Sequence, residues 1–455
     1  IQAIAVIYIP IYSELRNRDN MGEKKAKDFT DVLISDVYFL CILLIIIVNI
    51  FPRQFVGLFA SGFTEETTEI AVRLVRIIVF AMLGKSTVSI IGAFLQSNDD
   101  FAVNAFTGIP FDVVVIISIA LSSITNESIL GWGFLCAVII QAIMVSIRAR
   151  KFQYKFRVHI DFKNPYIEQM LGMFLPVCIG VGANQINLII DRTLASSVSV
   201  GGISAMNYAN KVDNIMENVI VLSLAAVMYP AFARYAAEKN YKALSDVGIS
   251  TLNIVCAVMA PIAAGTMLFA YEIVDILFGH GAFDQTATVL TAEAMSFYSI
   301  GVVFVAWRAI LTRIFYSLKK VHAVTINSCV AIAINIIFNL LLVKSMGIAG
   351  LALATSISSI VAVILMFGSL RHFIEVHYNK LIFETIKVAV AVLIMSIWCY
   401  FSFRHLQEFW NKYVAMLVSI LSSIIVYLAS TLCLKVQGVN KLVGILRNHR
   451  EGMMR

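Results

Sequence analysis

One apolar stretch, residues 204–233, carries more polar side chains than a lipid-facing helix tolerates. Asn207, Lys211, Asn214 and Asn218 repeat at i, i+4, i+7 and i+11, and Asn210, Asp213 and Glu217 run beside them. At 3.6 residues per turn these positions form one broad helical face. A charge inside a span costs roughly 2.5–3.5 kcal/mol on insertion scales, so the face must meet water, a ligand or another helix. A lysine contacts phosphate as a point charge, and asparagine pairs with sugar hydroxyls and amides. That chemistry suits a large anionic, sugar-bearing lipid in a water-filled cavity. The structural alternative is a buried hydrogen-bond network between helices. Asp213 and Glu217 run against a simple anion trap and are the candidates for carrying a coupled proton or sodium ion.

Other intramembrane polar residues fall into two groups. Asn184 and Asn187, with Gln185 beside them, lie on the preceding stretch and are expected to share a cavity with Lys211. Asp191 and Arg192 close that stretch and read as a surface pair that reaches outward to water. Arg308 sits deep enough in 288–317 to be a further substrate-binding candidate, whereas Arg313 is near its end. Lys85 and Asp112 lie mid-span, and each is a candidate to line the first lobe, with pairing between them a second option.

The elements that must hold these residues follow from composition. Of 455 residues, 60% are hydrophobic and only 14% charged. Soluble domains run about 25% charged, and here apolar runs of spanning length recur along the chain. Twelve are predicted: 33–51, 70–97, 104–124, 129–147, 166–191, 204–233, 249–270, 288–317, 321–343, 347–370, 381–402 and 413–434. The expected fold is an all-α polytopic membrane protein. A soluble enzyme and a disulfide-rich module are excluded, and the net charge of +7 reads as a topology signal rather than as nucleic-acid binding. The loops on one side hold about 23 Lys and Arg and those on the other about five, so the rich side, with the tail 435–455, is expected to be cytoplasmic.

The seven cysteines all lie in apolar runs without a C-x-x-C spacing, and are expected to be buried small hydrophobes. The sequence contains no HExxH, no Walker A and no G-x-S-x-G motif, so no metal, no cofactor and no enzymatic reaction are expected.

Two halves resemble each other at an offset near 220. Leu58-Phe59-Ala60-Ser61-Gly62-Phe63 recurs as Leu277-Phe278-Gly279-His280-Gly281-Ala282-Phe283, and Gly133-Phe134-Leu135-Cys136-Ala137 as Gly350-Leu351-Ala352-Leu353-Ala354. Pro10 and Pro230 both precede basic loops, which makes the repeats parallel, as in transporters whose lobes rock about a central site. The expected organisation is an N-terminal lobe over 1–150, a basic cytoplasmic linker over 151–165, a C-terminal lobe over 166–371, an appended helix pair over 381–434 and a basic tail. By the repeat, the first helix and most of the second are expected to lie upstream of Ile1.

The run from Asn184 to Ser196, followed by Ile203-Ser204-Ala205-Met206-Asn207-Tyr208-Ala209-Asn210-Lys211, resembles the MurJ/MviN lipid II flippases of the multidrug/oligosaccharidyl-lipid/polysaccharide exporter superfamily. Gly62-Phe63, Gly281-Ala282-Phe283 and Phe315-Tyr316-Ser317 support it. The resemblance implies two six-helix lobes plus an extra pair that forms a groove for a lipid tail. It implies alternating access that carries undecaprenyl-linked peptidoglycan precursor to the outer leaflet of a bacterial cell membrane. The implied partners are that lipid, the bilayer and cell-wall synthesis proteins. Membrane potential or a coupled ion would drive the cycle. The family's functional Arg is Lys211 here, its acidic residue three places later is Asn214, its Pro shortly after is Met216, and its Arg after the fourth span is Asp100. The runner-up functions are a flippase for another polyprenyl-linked glycan and a drug exporter of the same superfamily. A membrane-embedded transferase would need clustered catalytic acids or histidines, and none stands out. A transport-dead scaffold is the remaining reading.

Overall fold

The computed structural model describes residues 2–18, 21–100, 102–161 and 164–438, and among them no strand occurs. In order, the helices are α1 (Gln2–Arg18), α2 (Gly22–Ile50), α3 (Pro52–Phe59), α4 (Glu65–Ile78), α5 (Ala81–Ser97), α6 (Ala102–Phe106), α7 (Gly108–Ser122), α8 (Ser128–Ala149), α9 (Pro165–Val198), α10 (Gly202–Met216), α11 (Ser223–Ala237), α12 (Tyr241–Leu268), α13 (Ala270–Phe278), α14 (Gln285–Ser317), α15 (Val321–Leu370), α16 (Tyr378–Leu406) and α17 (Lys412–Cys433). Among the described residues, eight helices are long and apolar enough to cross a membrane, or nine if the pair α4 and α5, bent by 46°, is one span. The chain divides into two compact units, 1–189 and 190–455.

The first unit closes around aromatic side chains. Tyr8 and Tyr12 of α1, Phe29 of α2 and Phe94 of α5 are all at most 1% exposed, and the Tyr8 hydroxyl is 2.7 Å from Thr30 Oγ1. The second unit has a larger core, in which Leu252 and Val255 of α12, Ile310 and Phe315 of α14, and Val363 and Met366 of α15 meet. The appended helices lie on it: Val388 of α16 joins that core, and the Tyr427 hydroxyl of α17 donates to the Ala257 carbonyl at 2.6 Å.

The same local devices recur in both units at the same spacing. The backbone breaks at Phe51 (φ −120°) and again at Phe269 (φ −111°), and a short helix follows each. Thr64 then caps α4 and Asp284 caps α14, each accepting a backbone N–H from three residues on, which satisfies an otherwise orphaned donor. Asp99 and Lys319 both take positive φ, 61° and 57°. The N–H after each reaches back to a carbonyl of the helix just ended, Asp100 to Leu95 and Lys320 to Phe315, both at 2.9 Å.

Three breaks shape the remaining helices. Gly347, at φ 60° and ψ −132°, splits α15 into two spans with a one-residue turn; the positive φ is the left-handed region that glycine enters at no steric cost. The turn Glu217–Leu222 is π-helical and joins α10 to α11. Pro230 lies inside α11, where it removes one backbone donor.

The cysteines correct one expectation. Cys41, Cys256 and Cys399 are buried, but Cys136 and Cys433 are exposed and Cys329 is half-buried. An apolar run in a membrane has a lipid-facing side as well as a core side, and hydrophobicity does not separate them. Cys178 lies outside the described side chains.

Candidate functional site

α10 is amphipathic within its own unit. Ala205, Met206, Ala209 and Val212 are buried, and most of them pack on Val274, Met295, Tyr298 and Leu351. Asn207, Asn210, Lys211 and Asn214 are exposed. Four of the seven residues of the predicted face thus share an exposed side, and Asn214 donates its amide N–H to Asn210 Oδ1 within it. Lys211 makes no ion pair among the described residues, and its ammonium lies 6.0 Å from the centroid of the Tyr208 ring.

Tyr208 fixes this arrangement. Its ring sits 4.7 Å from Phe278 and 5.5 Å from Phe283. Those two phenylalanines flank the tight turn where Gly281 takes φ +64°. Phe278 and Phe283 of the block 277–283 thus hold the ring that lies beside Lys211.

The other sequence-predicted residues divide. Asp213 is half-buried, turned away from the Lys211 face. Arg308 is half-buried on α14. It lies ten residues beyond Tyr298, about 15 Å along the helix from the level at which α10 packs. Asn187 is half-buried on α9, in the first compact unit. The side chains of Asn184, Glu217 and Asn218 lie outside those described.

Asp191 corrects its expectation. It is 8% exposed, while Arg192 is exposed. Asn339 donates its amide to Asp191 Oδ1 at 2.6 Å and to Asn335 Oδ1 at 2.8 Å, and Asn335 donates to Thr355 Oγ1 at 3.3 Å. A buried carboxylate needs such donors, and α15 supplies them from 148 residues away. The sequence signal was present in the spacing of Asn335 and Asn339, one turn apart in an apolar run.

In the first unit Lys85 turns to Gln141 rather than to Asp112. Its ammonium donates to Gln141 Oε1 at 3.0 Å and lies 4.3 Å from the Phe111 ring centroid, while Asp112 is exposed. Asp100, 8% exposed, accepts from Arg148 Nε at 2.6 Å. Among the described residues, no three His, Cys, Asp or Glu side chains converge as metal ligands would.

Residues 2–422 match the family described as Lipid II flippase MurJ. A probable lipid II flippase MurJ of Rickettsia prowazekii (strain Madrid E) is 25% identical over 430 residues, which is 93% of this chain and 84% of the relative. One of Buchnera aphidicola subsp. Acyrthosiphon pisum (strain APS) is 27% identical over 418 residues, covering 89% and 80%. Among solved structures, a lipid II flippase MurJ in an inward closed conformation superposes with a TM-score of 0.80 at 22% identity, covering 94% of this chain and 87% of that one. An inward-facing multidrug resistance MATE transporter of the MOP superfamily reaches 0.68 at 16% identity, covering 81% and 86%.

Proposed function

The chain belongs to the Lipid II flippase MurJ family, and we propose from that membership that the exposed face of α10 holds the anionic, sugar-bearing end of the substrate. The protein is a multi-pass inner-membrane transporter and not an enzyme. It carries lipid II, the undecaprenyl-linked peptidoglycan precursor, from the cytoplasmic to the outer leaflet by alternating access and so supports cell-wall synthesis.

The observation that carries the site assignment is Lys211, exposed and without an ion pair among the described residues, on a helix face whose other members are Asn207, Asn210 and Asn214. The ammonium faces the pyrophosphate and the amides face the sugars and peptide. Arg308, on α14 of the same unit, extends the binding set in this reading. Lys211 replaces the arginine that the family resemblance leads one to expect, and a lysine lacks the planar fork that binds phosphate bidentately. That substitution supports the second reading, a flippase for a different polyprenyl-linked glycan. A cationic, amide-rich face speaks against a drug exporter.

The cycle is driven by membrane potential or by a coupled ion, with Asp213 and Glu217 as the carboxylates that take it. The basic loops support a cytoplasmic C-terminus. The exposed apolar side chains of α16 and α17, among them Leu393, Ile397, Leu421 and Ile425, line the path of the lipid tail. Cell-wall synthesis proteins are the expected neighbours.

The test is rescue. A bacterium depleted of its resident lipid II flippase is given this chain, and lipid II at the outer leaflet is measured. Restored accessibility supports the reading. Abundant, inserted protein without rescue overturns lipid II as the substrate.

A further inference from the structure

The first unit carries a trough that its described residues leave open. Two cavities of about 410 and 320 Å³ adjoin and share Tyr38, Thr87, Ser146 and Arg150. One end is polar, with Arg150 and Lys155 both exposed and neither in an ion pair among the described residues. The Tyr38 and Thr87 hydroxyls bond each other in the wall between the cavities. The other end is apolar, where Leu83, Ile139 and Ile143 line the trough, and Ile139 and Ile143 are 45% and 51% exposed. From Arg150 to Ile139 is eleven residues, about 16 Å of helix. That is close to one leaflet of a hydrocarbon core about 30 Å thick.

The equivalent face of the second unit is covered. The repeat offsets place Tyr38 at Cys256, Thr87 at Trp307, Ser146 at Val363 and Arg150 at Phe367. There Tyr427 of α17 bonds the Ala257 carbonyl. Phe367 packs on Trp307 at 6.2 Å and on Tyr378 of α16 at 5.8 Å, and Val363 shares a core with Leu381 and Val388. The second unit thus seats an apolar helix pair on this face. In the first unit, a cation stands where Phe367 stands in the second. A helix laid over Arg150 and Lys155 would strip water from two charges without supplying a partner, whereas an anionic headgroup supplies one.

We propose that this trough is a binding site for an anionic phospholipid of the bilayer. Its phosphate lies between Arg150 and Lys155, and one acyl chain lies along Leu83, Ile139 and Ile143. The proposal does not depend on which glycan lipid is carried.

The experiment counts lipid bound to the full chain. Protein stripped in neutral detergent is titrated with dioleoyl phosphatidylglycerol or dioleoyl phosphatidylcholine, and bound molecules are counted by native mass spectrometry. One phosphatidylglycerol is expected to bind at least tenfold more tightly than phosphatidylcholine. Arg150→Gln with Lys155→Gln should remove that preference. Ser146→Trp, which fills the trough without changing charge, should remove the tight molecule altogether. Size-exclusion profiles and melting temperatures matching the parent keep either loss from being one of folding. Unchanged binding in either variant overturns the site. So does equal affinity for phosphatidylcholine, and so does displacement of the tight lipid by undecaprenyl pyrophosphate at equimolar ratio, which would assign the trough to the carried substrate. A doubled mass that excludes lipid would assign it to a second copy.

Discussion

Tyr154 donates its phenolic O–H to Asp31 Oδ1 at 2.6 Å, across 123 residues of sequence. It is the first of three contacts that lay the segment after α8 along the side of α2. The His159 N–H donates to Ser35 Oγ at 2.9 Å and the Asp161 N–H to Asp36 Oδ1 at 3.1 Å. A stretch that reads in sequence as a basic connector is therefore clamped by two carboxylates and a hydroxyl between Asp31 and Asp36. Burial, and then Asp31 itself, hold the Tyr154 phenol far above its usual range, so it remains a donor at any physiological pH.

Tyr154→Phe leaves a carboxylate short of one donor. The expected cost is about 1–3 kcal/mol, felt locally. Hydrogen exchange at the amides of His159 and Asp161 should quicken, while amides of α12 and α14 stay protected. Unchanged protection at 159 and 161 would show that the other two contacts suffice.

At Lys211, transport should follow charge and then shape. Lys211→Glu is expected to abolish appearance of lipid II at the outer leaflet, and Lys211→Ala to reduce it at least tenfold. Lys211→Arg should keep or raise it, because the guanidinium adds a second parallel hydrogen bond to phosphate. Normal transport by Lys211→Glu would remove this residue from the substrate's path.

The Asp100–Arg148 pair has a testable sign. Asp100 is 8% exposed and Arg148 39%, so solvent screens one partner, and losing either should cost about 1–2 kcal/mol. The exchange Asp100→Arg with Arg148→Asp should recover part of what each single change loses in a melting experiment. Additive losses would mean the two side chains are not coupled.

Gly347→Ala should destabilise the second unit by about 1–3 kcal/mol. The positive φ strains any L side chain, and a Cβ would meet Val198 Cγ1 at 3.2 Å. Reduced yield of inserted protein with a lowered melting temperature is the expected result. A melting temperature equal to the parent's would refute it.

Much of the fold was legible in the sequence because membrane spans announce themselves by length and apolarity alone. The polar face of α10 was legible for a related reason, since a stripe of amides and a lysine contradicts its surroundings. Asp191 was misread because its position at the end of an apolar run suggested water, and its true partner Asn339 lies 148 residues away on α15. For Lys85 the sequence offered Asp112 as one partner by charge complementarity, but helix rotation turns Asp112 outward and Gln141 inward. The docking of the 153–161 segment on α2 left no periodic signal, because two of its three contacts use backbone N–H groups that every residue has.

The π-helical turn Glu217–Leu222 acts as a phase shifter. At about 100° per residue, Val212 and Val221 would fall about 180° apart on one uninterrupted helix, yet both are buried, at 6% and 0% exposure. The wider turn takes up part of that mismatch, so α10 and α11 can each present an apolar side to the separate core beneath it. Reading frame along this span is therefore a structural quantity: removing one residue from the turn would swing Ala225 and Phe232 about 100° around the axis without altering either side chain.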